Sequence, residues 1–170
     1  MVLGLSLATF TAMHVAISLV AIVTGLVVVV AMIRSRHLDS WTAVFLVTTV
    51  LTSATGFLFP FTGVLPSHTF GVISLVVLAL AISGLYVFHL AGRWRSVYVV
   101  GSVVALYLNT FVLVVQTFLK VPVFTALAPT QSEPPFAVAQ LAVLVIFVVL
   151  GVLAVRSFRP GGALPRVSIA

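Results

Sequence analysis

The sequence contains no cysteine. Disulfides, thiolate metal sites, covalent haem attachment through a thioether pair and cysteine nucleophiles are therefore excluded. Charge is nearly as scarce: 6% of the 170 residues are charged, and the only acids are Asp39 and Glu133. A soluble domain carries about a quarter charged residues. There is also no G-x-S-x-G turn, so nucleophilic hydrolysis has no recognisable machinery.

What is abundant is apolar surface. Hydrophobic residues make up 62% of the chain and the mean hydropathy is +1.37; no soluble fold could hide that much. A hydrocarbon core about 30 Å thick takes roughly 20 residues of helix to cross. Five stretches meet that length, at about 9–33, 41–59, 68–90, 97–119 and 137–155. The expected fold class is all-α: an integral membrane bundle of five transmembrane helices, one domain over 1–158, followed by a mobile tail at 159–170.

The net charge of +6 does not point to nucleic acid. All seven arginines fall in the first connection (Arg34, Arg36), the third (Arg93, Arg95) and the tail (Arg156, Arg159, Arg166). These are alternate ends of successive spans, so the positive-inside rule predicts an outside N-terminus and a cytoplasmic C-terminus. The uncharged run from Met1 to Ile33, with its arginines behind it, reads as a retained helix rather than a signal peptide. The bilayer is the first partner implied; a homo-oligomer or a larger membrane complex is the second.

Polar residues then mark faces. In span one His14, Ser18 and Gly25 share one side of the helical wheel, and His14 lies about 30 Å before Arg34, at the outer edge. Span two has Trp41 at its inner interface, and its outer half holds Thr48, Thr49, Thr52, Ser53, Thr55 and Gly56, which suit close helix packing. Span three carries Ala79 and Ser83 as a small-xxx-small packing pair. Trp94 and Tyr98 are expected to continue the inner aromatic belt.

Span four is the least uniform. Asn109, Gln116 and Lys120, at offsets of 7 and 11, lie on one face, and that face should look into the bundle. The connection 120–136, with three separated proline sites, is expected to be extended and stiff. In it Thr130 and Glu133 have capping-box spacing ahead of Pro134 and Pro135. Span five places Gln140 one turn into the membrane and ends at Arg156.

The phrases LTSATGFLFPF, LPSH, YVFHLAGRWR and FLKVPVFTALAPTQSEPPF resemble a family of small multi-span bacterial inner-membrane proteins. The resemblance runs from His14 to the end of span five. It implies a bacterial cytoplasmic-membrane location and a multi-span fold, and it brings no catalytic residue with it.

On the predicted orientation an outer polar layer forms from His14, Ser18, Thr52, Thr55, His68, Gln116, Lys120, Glu133 and Gln140, with Asn109 deeper. Polar groups converging at the mouth of a bundle make a binding-site candidate. The leading expectation is a non-enzymatic protein that binds or transports a small polar or anionic ligand, or a proton. Lys120 would supply charge, His14 or His68 a titratable group, and Asn109 and Gln116 the inward path. The path stops at Asn109, and no inverted repeat supports an alternating-access carrier.

An alternative is a b-type haem electron carrier of cytochrome b561-like architecture, with His14 and His68 as outer axial ligands and His37 and His89 as inner ones. His68 and His89 would lie about 31 Å apart along a helix, at the membrane edges rather than in the apolar interior. A metal site from His14, His68 and Glu133 has no fixed spacing behind it. The remaining alternative is an accessory subunit of a larger complex, using the FLFPFTGVLP turn and the long loop as contact surfaces.

Overall fold

In the computed structural model, residues 2–59 and 66–159 are described, with backbone only for 66–68. The described residues are helical and contain no strand: α1 (Leu7–Ile33), α2 (Asp39–Gly56), α3 (Pro66–Ile82) continued by a π-helical segment (Ser83–Val87), α4 (Trp94–Lys120), α5 (Pro122–Leu127) and α6 (Pro134–Ser157). Four helices are long and apolar enough to cross a membrane: Leu7–Ile33, Thr69–Val87, Trp94–Lys120 and Pro134–Ser157. The 18-residue α2 is shorter and richer in threonine and serine.

Local chemistry sets the helix starts. The Ser6 side chain accepts from the Thr9 amide at 3.1 Å and caps α1, which begins two residues before the expected span. Asp39 opens α2, where a carboxylate complements the helix dipole. Long-range bonds then fix the directions. His14 near the start of α1 meets Thr55 near the end of α2, with Nδ1 and Oγ1 at 2.8 Å, so the two helices are antiparallel. Ser53 and Ser74 join α2 to α3 through hydroxyls 3.0 Å apart.

The core lies where α1, α2, α3 and α4 cross. Phe45, Ala81, Tyr98, Val99 and Leu106 have no exposed surface. Gly25 makes that crossing close: a Cβ there would fall 2.7 Å from Leu106 Cδ1 and 2.7 Å from Phe45 Cε2. Gly101 does the same for α3 and α4, with Ala81 Cβ 3.0 Å from its Cβ position. By contrast α6 buries only Phe147 and Ala154 and leaves the rest of its surface exposed or half-exposed.

At the arginine-bearing end a clasp holds α6. Arg95 Nη1 donates to the carbonyl of Val155 at 3.1 Å and to that of Phe158. The Arg159 amide donates to Ser35 Oγ at 3.0 Å. Three segments, the α1–α2 turn, the start of α4 and the end of α6, therefore share one set of bonds.

Several expectations are corrected. Span three is not one α-helix to residue 90: it turns π-helical at Ser83 and ends at Val87. His89 and Leu90 follow with φ of 46° and 61°, in a tight turn where the Leu90 amide donates to the Gly84 carbonyl at 2.9 Å. Ala79 is exposed and is not a packing residue; the buried stripe of this helix is Ser74, Leu78, Ala81 and Leu85. Tyr98 is fully buried against His37 and Phe158 rather than sitting in an interfacial belt.

The 120–136 connection is not extended, because Val121 and Pro122 open α5 and the Thr125 hydroxyl bonds the Phe118 carbonyl at 2.8 Å. Thr130 and Glu133 do meet, but no helix starts at Thr130. Glu133 is itself the residue before α6, and its side chain makes no cap to that helix. The expected tail from 160 onward and the turn at 60–65 lie outside the described residues.

Candidate functional site

The halves of α1, α2, α3 and α4 away from the arginine-bearing end border a cavity of about 610 Å³. Such a volume is in the range of small-molecule sites. Its walls are mainly apolar, among them Val15, Leu19, Ile22, Phe59, Phe70 and Leu113. Its polar groups come from each of the four helices.

Six of the expected residues line this space: His14, Ser18, Thr52, Asn109, Gln116 and Lys120. Each is positioned by its helix. His14 is held by Thr55 and by the edge of Phe59, whose ring centroid is 5.1 Å away. The Ser18 hydroxyl donates back to the His14 carbonyl at 2.8 Å, a bond that keeps it inside its own helix. Thr52 Oγ1 and Asn109 Nδ2 are buried and have no hydrogen-bond partner. A buried polar atom left unpaired costs about 1–3 kcal/mol, so these two atoms are the unmet demand of the site.

No family model, curated protein or solved structure matches this chain. The chemistry of the cavity rests on its own side chains. Lys120 and His14 both line it. No carboxylate is among the lining residues. Lys120 Nζ and the unpartnered Asn109 Nδ2 are donors with no acid beside them, so an oxygen acceptor is a partner the cavity would satisfy.

The other expected residues fall elsewhere. Thr55 stands behind His14 and does not line the cavity. Glu133 is turned to its own loop, accepting from the Thr130 hydroxyl at 2.9 Å and from the Thr130 and Ser132 amides at 3.2 and 3.1 Å. Slight desolvation raises its carboxyl pKa, but these bonds outweigh it and hold the value below the ordinary 4.5. Gln140 Nε2 donates to the Phe111 carbonyl of α4 at 3.3 Å, so it fastens α6 rather than lining the cavity. The side chain of His68 lies outside the described residues.

Cavity residues that sequence reasoning left out of the candidate set include Thr11, Ser53, Ser74 and Thr117. Ser74 carried a readable signal, since Gly71, Ser74, Leu78, Ala81 and Leu85 repeat at intervals of three and four, a core-facing stripe. Thr11 and Thr117 are bonded to their own backbone, at 2.8 Å each, and gave none.

The opposite end has its own polar group. His37 Nδ1 lies 2.9 Å from Asp39 Oδ1, and its ring packs against Tyr98 and Phe158. The Tyr98 hydroxyl is beside those of Thr42 and Ser102, yet none of the three makes a close hydrogen bond. His89 is exposed in the turn after α3. Among the described residues no three His, Asp or Glu side chains gather in a metal-binding group. A smaller notch of about 330 Å³ at this end has Arg34 and Arg36 at its rim and Leu26, Val30 and Leu38 as walls.

Proposed function

We propose that this is a five-span protein of a bacterial inner membrane, N-terminus outside, that binds a small polar or anionic ligand in the cavity between α1, α2, α3 and α4. Two features support α2 as the fifth span. It runs antiparallel beside α1, with its end level with His14, and crossing there returns the chain to the side from which α3 departs. Arg34, Arg36, Arg93, Arg95, Arg156 and Arg159 then all fall at one face of the bundle. The family resemblance in the loop phrases is part of the same proposal, and the protein acts as a binder rather than as an enzyme.

One observation carries the reading. Two buried polar atoms without partners, the Thr52 hydroxyl and the Asn109 amide nitrogen, share a cavity with a cation and an imidazole and with no acid. Tyr98, Thr42 and Ser102 are also unpaired, in the packed core; what sets Thr52 and Asn109 apart is that they border a cavity.

The test is stabilisation of the protein in mild detergent by phosphate, sulfate, acetate and short-chain carboxylates. A bound anion raises stability by RT ln(1 + [L]/Kd), about 2.7 kcal/mol at a hundredfold excess over Kd. The expected result is stabilisation lost in Lys120→Gln and in the pair Asn109→Leu with Gln116→Leu. Equal stabilisation in those variants would end the binding proposal. Reporter fusions that placed the 120–136 loop in the cytoplasm would overturn the orientation.

A further inference from the structure

The cavity has two properties that a site for a simple hydrated anion would not need. First, its polar groups are spread along the bundle: Lys120 and Asn109 are eleven residues apart on one helix, about 16 Å of rise. No single phosphate or sulfate reaches from one to the other. Second, the cavity is not sealed from the side. Val15, Leu19 and Leu113 line it, yet they are 43%, 44% and 36% exposed. The same side chains thus belong both to the cavity wall and to the outer surface, where α1 and α4 face lipid. In the outer half α1 is held chiefly by α2, through Phe10 on Phe59 at 5.0 Å and His14 on Thr55. The outer part of α6, through Gln140 and Phe136, is fastened to α4 instead. The half-exposed Val15, Leu19 and Leu113 thus mark the side of the cavity between α1 and α4.

An occupant suited to these features is elongated, presents oxygen acceptors at two depths, is anionic at the end near Lys120 and is apolar elsewhere. Resting on the binding role proposed above, we infer that the cavity takes a single-chain anionic acyl lipid from the outer leaflet. Its phosphate sits at Lys120, its ester carbonyl accepts from Asn109 Nδ2 and Thr52 Oγ1, and its acyl chain leaves between Val15, Leu19 and Leu113. The carbonyl meets the two donors that are buried without partners. Thr11, Ser18 and Thr117 spend their hydroxyl protons on their own helices, at 2.8 Å each. They leave the acyl path lined by methyl and methylene groups.

The test uses lysophosphatidic acid with a diazirine in its acyl chain, added to the full-length protein in phosphatidylcholine nanodiscs and photolysed, with labelled peptides mapped. The expected labels fall on Thr11–Ile22 of α1 and Leu108–Thr117 of α4. They are competed by unlabelled lysophosphatidic acid, weakly by the zwitterionic choline analogue and not by inorganic phosphate. Asn109→Leu should weaken competition by about fivefold to tenfold. Leu113→Trp, which places an indole in the side opening, should reduce labelling of α1.

Labelling spread over the exposed face of α6 and indifferent to competitor would mean annular lipid only, and would overturn the inference. Protection by inorganic phosphate without any effect of chain length would overturn it too, while leaving the small-anion reading intact. If neither lipid nor anion protects the cavity, both fall.

Discussion

Replacing Gly25 by alanine tests the packing that holds the bundle together. The added Cβ would lie 2.7 Å from Leu106 Cδ1, 2.7 Å from Phe45 Cε2 and 2.9 Å from Phe45 Cδ2. The Leu106 methyl can swing aside, but Phe45 has no exposed surface and its ring has nowhere to turn. Overpacking of this kind costs about 1–3 kcal/mol, and the rigid ring puts Gly25 in the upper part of that range. Alanine returns about 1 kcal/mol of helix propensity relative to glycine. The expected net effect is a loss of about 1–2 kcal/mol. Gly151 on α6 is the control, because a Cβ there would meet Val103 Cγ1 at 3.5 Å, an ordinary contact. Gly151→Ala should gain up to about 1 kcal/mol. Unfolding of both variants in mixed micelles, followed by circular dichroism, gives the two signs. The reasoning is refuted if Gly25→Ala is as stable as the parent or if Gly151→Ala is the more harmful change.

Removing the clasp with Arg95→Leu leaves the Val155 and Phe158 carbonyls without their charged donor, a loss of about 1.5–3 kcal/mol locally. Trypsin should then cut after Arg156 at least about tenfold faster, and unchanged cleavage would count against the clasp. Ser53→Ala and Ser74→Ala each break the same α2–α3 bond, so each should cost about 0.6 kcal/mol and the double variant little more than either; full additivity in unfolding would show that the bond is absent. For Glu133 the folded pKa is depressed below 4.5, so its loop contribution is complete above the unfolded value and is lost as pH falls through the lower folded one. Order in Thr130–Ser132, followed by amide chemical shifts, should decline only in that acid range and should lose its pH dependence in Glu133→Gln.

The sequence displayed the helices through their length and hydropathy, but only polar residues displayed their faces. Asn109, Gln116 and Lys120 could be placed together because on α4 the polar positions recur at helical spacing. In α1, α3 and α6 nearly every position is apolar, and nothing in such a run says which side meets protein and which meets lipid. That is why the small-xxx-small spacing points to Ala79, which is exposed, and not to Ser74, which is buried. Gln140 was placed at the right depth for a pocket residue, yet its amide is used by the Phe111 carbonyl of the neighbouring helix. Tyr98 looked interfacial by type, and burial against His37 and Phe158 overrode that preference. The π-helical turn at Ser83 has no composition of its own to announce it.

The clasp at the arginine end also has a place in time. The chain is made from its N-terminus, so Ser35 and Arg95 are synthesised before the carbonyls of Val155 and Phe158 and the amide of Arg159 exist. The cavity, by contrast, is lined by nothing later than Val121. A nascent chain can complete its cavity while its opposite end is still open, and the last helix then arrives as a bolt across three segments already in position. Assembly of the cavity and closure of the bundle are thus separate events, and a chain cut before residue 155 should retain the first without the second.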